Sequence, residues 1–329
     1  MLRAPKSPRL LGGEGGVGQE RRPGTPFLQR PGVVATVFLA PFLVLFFVFR
    51  VWPIISAVSI SFQDIQSIGQ GEFIGLGNYQ SLLDDERFSA ALRNTAMYTG
   101  GTLLLLVPIP LMLAALLHSG SVKAPGAFRT ILFLPLLAGL VVVGVVFQLI
   151  LSQNGVMNAG LGLFGLPSLA WLEVPELALP SLLIVAVWRW TGINIVYFST
   201  GLATIPNDLY EAAVIDGASG FRRFLHISLP LTKPIILFVS VLTLIGGFQL
   251  FVEPFILWAQ QGGVGPNRAG MSIVVLLYRT AFTNFQLGLA SAIGVVLALI
   301  IMVTAIIQLR AFGFFSRDET GSGRRRRSR

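Results

Sequence analysis

Six long apolar runs alternate with polar stretches along the chain, at about 33–61, 94–117, 129–151, 179–203, 231–257 and 286–311. A helix needs about 20 apolar residues to cross the hydrocarbon core of a bilayer, and every run reaches that length. Backbone N–H and C=O groups find no partner in lipid, so all six are predicted as α-helices. The first run is long for a simple span and contains Pro53, which predicts a kink or a strong tilt. Pro108, Pro110 and Pro135 predict bends in the second and third. The fold class is therefore an all-α polytopic membrane protein with six transmembrane helices.

One polar stretch, 204–234, interrupts this pattern with a pattern of its own. Pro206 suits a first helical turn, Leu209, Ala212 and Ala213 follow at helical spacing, and Gly217 is placed to end the helix. Ser219 can cap a second helix whose apolar face holds Phe221, Phe224 and Leu225. Pro230 and Pro234 bracket the return to the next span. Two short helices with apolar residues, outside the spans, predict a docking surface.

Composition agrees with the pattern. Only 12% of the residues are charged and 53% are hydrophobic, where a soluble domain carries about 25% charged residues. The net charge of +9 is not a nucleic-acid signal, because the basic residues gather at chain ends and in particular loops rather than among aromatics. Eighteen lysines and arginines fall on the side holding both termini, the second loop and the 204–234 loop, against four on the other side. That asymmetry predicts cytoplasmic termini and a cytoplasmic 204–234 loop. Residues 1–31, rich in Gly, Pro and Arg, read as a disordered basic tail, 32–312 as the membrane domain, and 313–329 as a second basic tail.

Candidate chemistry is sparse. The three lysines, Lys6, Lys123 and Lys233, all lack the preceding glycine of a phosphate-binding loop. Uphill transport would therefore draw its energy from a partner. Cysteine is absent, His118 and His226 lie far apart at loop edges, and no catalytic set, metal cluster or cofactor motif can be assembled. The chain is not expected to be an enzyme. Charges inside spans are expensive and usually functional, and two stand out. Arg189 lies about 22 Å and Glu253 about 30 Å from the 204–234 end of their spans, at 1.5 Å per residue. With Trp188, Trp190, Asn194, Phe248, Gln249 and Phe251 they offer aromatic faces, amides and charges suited to a polyhydroxylated solute. The alternative is a structural Arg–Glu pair with interfacial tryptophans.

Glu211-Ala212-Ala213, three residues, Gly217, nine residues, then Ile227-x-Leu229-Pro230 resembles the cytoplasmic loop signature of ABC importer permeases. Phe73-x-Gly75-Leu76-x-Asn78-Tyr79, Trp188-Arg189-Trp190 and the Gly262-Gly263 loop resemble the carbohydrate branch, of maltose and glycerol-3-phosphate type. The resemblance covers about 33–311. It implies coupling helices seated in an ATPase cleft, with Glu211, Ala212, Ala213, Asp216, Gly217, Ile227, Leu229 and Pro230 as the contact segment. It further implies alternating access in a bacterial inner membrane, a second homologous permease, two ATP-binding subunits, an extracytoplasmic solute-binding protein and a sugar-like solute. Permeation of a non-sugar solute is one alternative. An ion-coupled secondary transporter is another, although Glu253 stands nearly alone as an intramembrane acid.

Overall fold

The structure, a computed structural model, describes residues 31–65, 71–120 and 122–313. The expectations for the two basic tails therefore fall outside the described residues, apart from Pro31 and Gly313. The chain divides into a unit ending at Ile54 and a unit from Ile55 onward. The first is a helix from Pro31 to Phe46 followed by a π-helical turn, Phe47–Val51, that leads into the helix Trp52–Ile60. Pro53 lies just past that wider turn, within one continuous helical span. Pro53 has no N–H for the carbonyl four residues back, and Trp52 instead donates to the carbonyl of Phe47.

Five helices are long and apolar enough to span: Ala35–Ile60, Glu86–His118, Pro175–Ala203, Lys233–Leu257 and Leu287–Ala311. A bent pair, Pro125–Leu137 with Leu140–Ile150, makes a sixth when its two halves are taken as one span. These are the first, second, fourth, fifth, sixth and third spans in chain order.

The third span departs furthest from the apolar pattern. Its halves turn by 99°, and the break falls at Ala138 and Gly139, where the chain is extended, rather than at Pro135. The second span starts at Glu86, well before its apolar run. Asp85 accepts the backbone N–H of Arg87 and caps that start, and the first turns bury Phe88 and Ala91. The same span breaks at Val107, just ahead of Pro108. The fifth is interrupted between Phe248 and Val252.

Within the second unit, three apolar clusters hold the spans together. Phe88, Leu244, Phe248, Ile273 and Ile293 join the second, fifth and sixth spans to the segment before the last. Tyr98, Phe147, Leu182, Val185 and Leu257 join the second through fifth. Leu111, Ile195, Phe198, Leu202 and Val239 close the end that carries the 204–234 loop. Without a hydrophobic drive between helices in lipid, close approach comes from small residues. Gly192 is the clearest case: a Cβ there would lie 1.9 Å from the carbonyl oxygen of Leu132.

The Phe73–Tyr79 motif locks the connection after the first span. Its start pairs in a two-stranded ladder, Gln63–Asp64 with Glu72–Phe73. Buried Asn78 donates to the carbonyls of Ser61 and Gln63, both at 2.9 Å. The Tyr79 hydroxyl meets the Ser61 hydroxyl at 2.7 Å.

Candidate functional site

The interruption of the fifth span borders a cavity of about 370 Å³ within the second unit. Local sequence permits the interruption. Gly246 and Gly247 are poor helix formers, and Gln249 ends the first helical piece by bonding back to Ile245 and Gly246. Ser272 holds the carbonyl of Leu250 at 2.5 Å, so the open backbone is not left unsatisfied. The chain then restarts as Val252–Leu257. Gln249, Phe251 and Glu253 line the cavity from this break.

The second span contributes Tyr98 and Thr102, and the fourth contributes Trp190, Asn194 and Tyr197. Asn194 has a structural task as well. Pro110 cannot donate to the carbonyl of Leu106, four residues back. The Asn194 amide donates to that oxygen instead, at 3.0 Å. This leaves the Asn194 side-chain oxygen to face other groups.

Of the eight residues picked from sequence for the solute path, five line the cavity: Trp190, Asn194, Gln249, Phe251 and Glu253. The other three sit elsewhere. Trp188 is 44% exposed and packs edge-on against Phe147, ring centres 5.2 Å apart. Phe248 is buried in the first apolar cluster. Arg189 is buried too, and it donates to the carbonyls of Ala138 at 2.7 Å and Pro135 at 3.4 Å. Those carbonyls belong to the end of the first half of the third span, where helical acceptors lose their partners. A cation there also meets the negative end of the helix dipole. Its guanidinium lies 5.3 Å from the Trp190 ring centre. No ion pair joins Arg189 to Glu253 among the described residues; the guanidinium holds the bend of the third span.

Tyr98, Thr102, Tyr197 and Thr243 also line the cavity and were missed in the sequence. Their signal is weak, because single hydroxyls in an apolar helix are ordinary. Only the packing of the second, fourth and fifth spans shows that they share a wall.

The 204–234 loop has the expected form, with one shift. Asn207–Ile215 is helical, and Pro206 sits just before its first turn rather than within it. Gly217 has φ +75°. Ala218 donates to the carbonyl of Ala213 and Gly217 to that of Val214, which is the double bond pattern of a glycine-terminated helix. The Ser219 hydroxyl accepts the N–H of Arg222 and starts the second helix. Tyr210 and Ser228 join the two helices through their hydroxyls at 2.9 Å. Glu211, Ala212, Asp216, Gly217 and Pro230 are exposed, while Ala213, Ile227 and Leu229 are half-buried. Val214, Ile215 and Phe221 lie 55%, 86% and 70% exposed.

A helical membrane domain, an interrupted span over a cavity and a capped two-helix loop define a solute permease. The family model described as "Binding-protein-dependent transport system inner membrane component" matches residues 103–313, and the chain belongs to that family. The chain is 40% identical over 281 residues to the arabinooligosaccharides transport system permease protein AraP of Bacillus subtilis (strain 168), covering 85% of this chain and 88% of the relative. It is 32% identical to the lactose transport system permease protein LacF of Rhizobium radiobacter, covering 84% and 92%. The fold is also that of the crystal structure of a bacterial ABC transporter involved in the import of the acidic polysaccharide alginate. That match has TM-score 0.74 and 24% identity, and it covers 86% of this chain and 96% of that one.

Proposed function

We propose that this chain is the membrane-spanning subunit of an ATP-driven importer for a sugar or sugar-like solute, and that the cavity at the break in the fifth span is its solute site. The observation that carries the reading is the make-up of that cavity. Trp190 and Phe251 offer flat apolar faces beside the amides of Asn194 and Gln249, the carboxyl of Glu253 and the hydroxyls of Tyr98 and Thr102. Sugars present apolar C–H faces and a rim of hydroxyls, and an aromatic wall with a few placed polar groups suits both. Its volume lies within the range of about 300–1,000 Å³ common to small-molecule sites. The names of the AraP and LacF relatives support a saccharide.

Energy would enter at the 204–234 loop. Its exposed Val214, Ile215 and Phe221, with Glu211 and Asp216 beside them, form a mixed apolar and acidic surface for an ATPase subunit. In this reading two ATPase subunits, a second permease and an extracytoplasmic binding protein complete the assembly. Closure of the ATPases draws the loops together and exposes the cavity to alternate sides of the bacterial inner membrane.

The test uses the whole assembly in proteoliposomes. ATP-dependent uptake of labelled saccharides is expected, and Trp190→Ala and Gln249→Ala should each lower it about tenfold, the effect of roughly 1.4 kcal/mol of lost binding, with assembly intact. Unchanged uptake in both variants would remove the cavity from the path. Uptake of amino acids instead of saccharides would overturn the solute class.

A further inference from the structure

Four aromatic rings form a continuous ladder that starts in the cavity and ends at the protein surface. Phe251 lines the cavity. Its ring is stacked on Phe255, centres 5.1 Å apart, and lies 5.2 Å from Tyr278. Phe255 and Tyr278 are 5.3 Å apart, and Tyr278 lies 5.1 Å from Phe282. Phe282 is 63% exposed. The ladder therefore runs from the break in the fifth span toward the start of the sixth, the end opposite the 204–234 loop.

Core packing takes up part of Phe251, which lies against the first apolar cluster, but leaves the other rings half-buried or exposed. Phe251, Phe255 and Tyr278 are only half-buried, while Ile273, Val275 and Leu276 beside them are buried in the core. The Tyr278 hydroxyl has no hydrogen-bond partner among the described residues. A strip facing the hydrocarbon would be apolar throughout, yet Phe282 and Phe285 flank exposed Thr283 and Asn284. The backbone is also bent to present this strip. Arg279–Thr283 is a π-helical turn, a feature frequent at functional sites. Phe285 is held at φ +56°, a left-handed conformation that a bulky side chain adopts only at a cost.

We infer that these rings form an aromatic track along which a saccharide of several rings lies, with its leading end in the cavity and the rest on Tyr278 and Phe282. The inference rests on the proposed sugar reading and narrows it from sugars in general to oligosaccharides. The cavity holds the leading end. Tyr278 and Phe282 give the further sugar rings aromatic surface to lie on, where C–H groups meet the negative face of the ring. The Tyr278 hydroxyl is free to bond to a sugar hydroxyl. A track of repeated, similar contacts suits a chain that must slide, because each step exchanges one stacking contact for another.

The test compares uptake of a graded series of neutral saccharides, from monosaccharide to pentasaccharide, by the complete transporter in proteoliposomes. Phe282→Ala is expected to raise the apparent KM for the tetra- and pentasaccharide roughly three- to tenfold, the worth of about one aromatic contact. The monosaccharide and disaccharide should stay within about twofold. Phe282→Leu, which keeps bulk but removes the ring, should repeat the pattern if the alanine variant assembles poorly. Tyr278→Phe should show a smaller loss in the same order. A loss equal at every chain length, or no loss, overturns the track while leaving the sugar reading standing. A wild-type transporter that imports no saccharide overturns both.

Discussion

Arg189 shows how far a residue can be read alone. A buried arginine in a span signals function or pairing, and Glu253 at similar estimated depth was its natural partner. The structure gives Arg189 the carbonyls of Ala138 and Pro135 instead and leaves Glu253 on the cavity wall. Removing the guanidinium strands acceptors at the bend. Arg189→Met should therefore lower the stability of the detergent-solubilised protein by about 1–3 kcal/mol. Glu253→Gln should act on uptake. Because no ion pair joins the two residues among the described residues, their stability changes should add within about 0.5 kcal/mol. Thermal unfolding of both single variants and the double variant measures this. A double variant more stable than Arg189→Met alone would reveal a coupling between the two charges and refute the separate roles.

At the scale of elements, the 204–234 hairpin depends on one backbone conformation. Gly217 is left-handed, with open space around the position where a Cβ would stand. Substitution there is a conformational matter alone, free of steric conflict. Gly217→Asn should be well tolerated, since asparagine visits this region readily. Gly217→Pro fixes φ near −65° and removes the N–H that bonds to Val214. The proline variant should insert normally but lose most ATPase co-purification and ATP-dependent uptake, with Glu211→Lys weakening the same contact by charge reversal. Wild-type co-purification of Gly217→Pro would show that the hairpin is not the coupling element. The same scale explains the fifth span. Its hydrophobicity reads through the Gly246–Leu250 stretch without a pause, so the run looks like one helix. Only the bond from Ser272 to Leu250, from a segment 22 residues on, shows that the chain opens there.

For the whole molecule, the asymmetry of basic residues predicts an orientation that is directly measurable. Reporter fusions after Val122 and Ala218 should report the cytoplasm, and fusions after Gln80, Gly165 and Gly265 the exterior. The aromatic ladder then opens outward and the 204–234 hairpin inward, as import requires. A fusion after Ala218 that reports the exterior would reverse both assignments together.

The number and approximate place of the spans, their helical state and the two-helix hairpin were all legible along the chain. They depend on quantities that are local: the length of apolar runs against the thickness of a bilayer, and capping signals such as Gly217 and Ser219 a few residues apart. The breaks and the cavity were not. Whether Pro135 bends its helix there or the chain opens at Ala138 depends on a donor, Arg189, 51 residues away from the carbonyl it takes. Whether Thr102, Tyr197 and Gln249 face one space depends on how the second, fourth and fifth spans rotate against each other. That rotation is set by small residues such as Gly192 and by core contacts between distant segments. Apolar residues on all sides of a membrane helix carry no strong periodic mark of which face is inward, so the wall of the cavity exists only once the spans are packed.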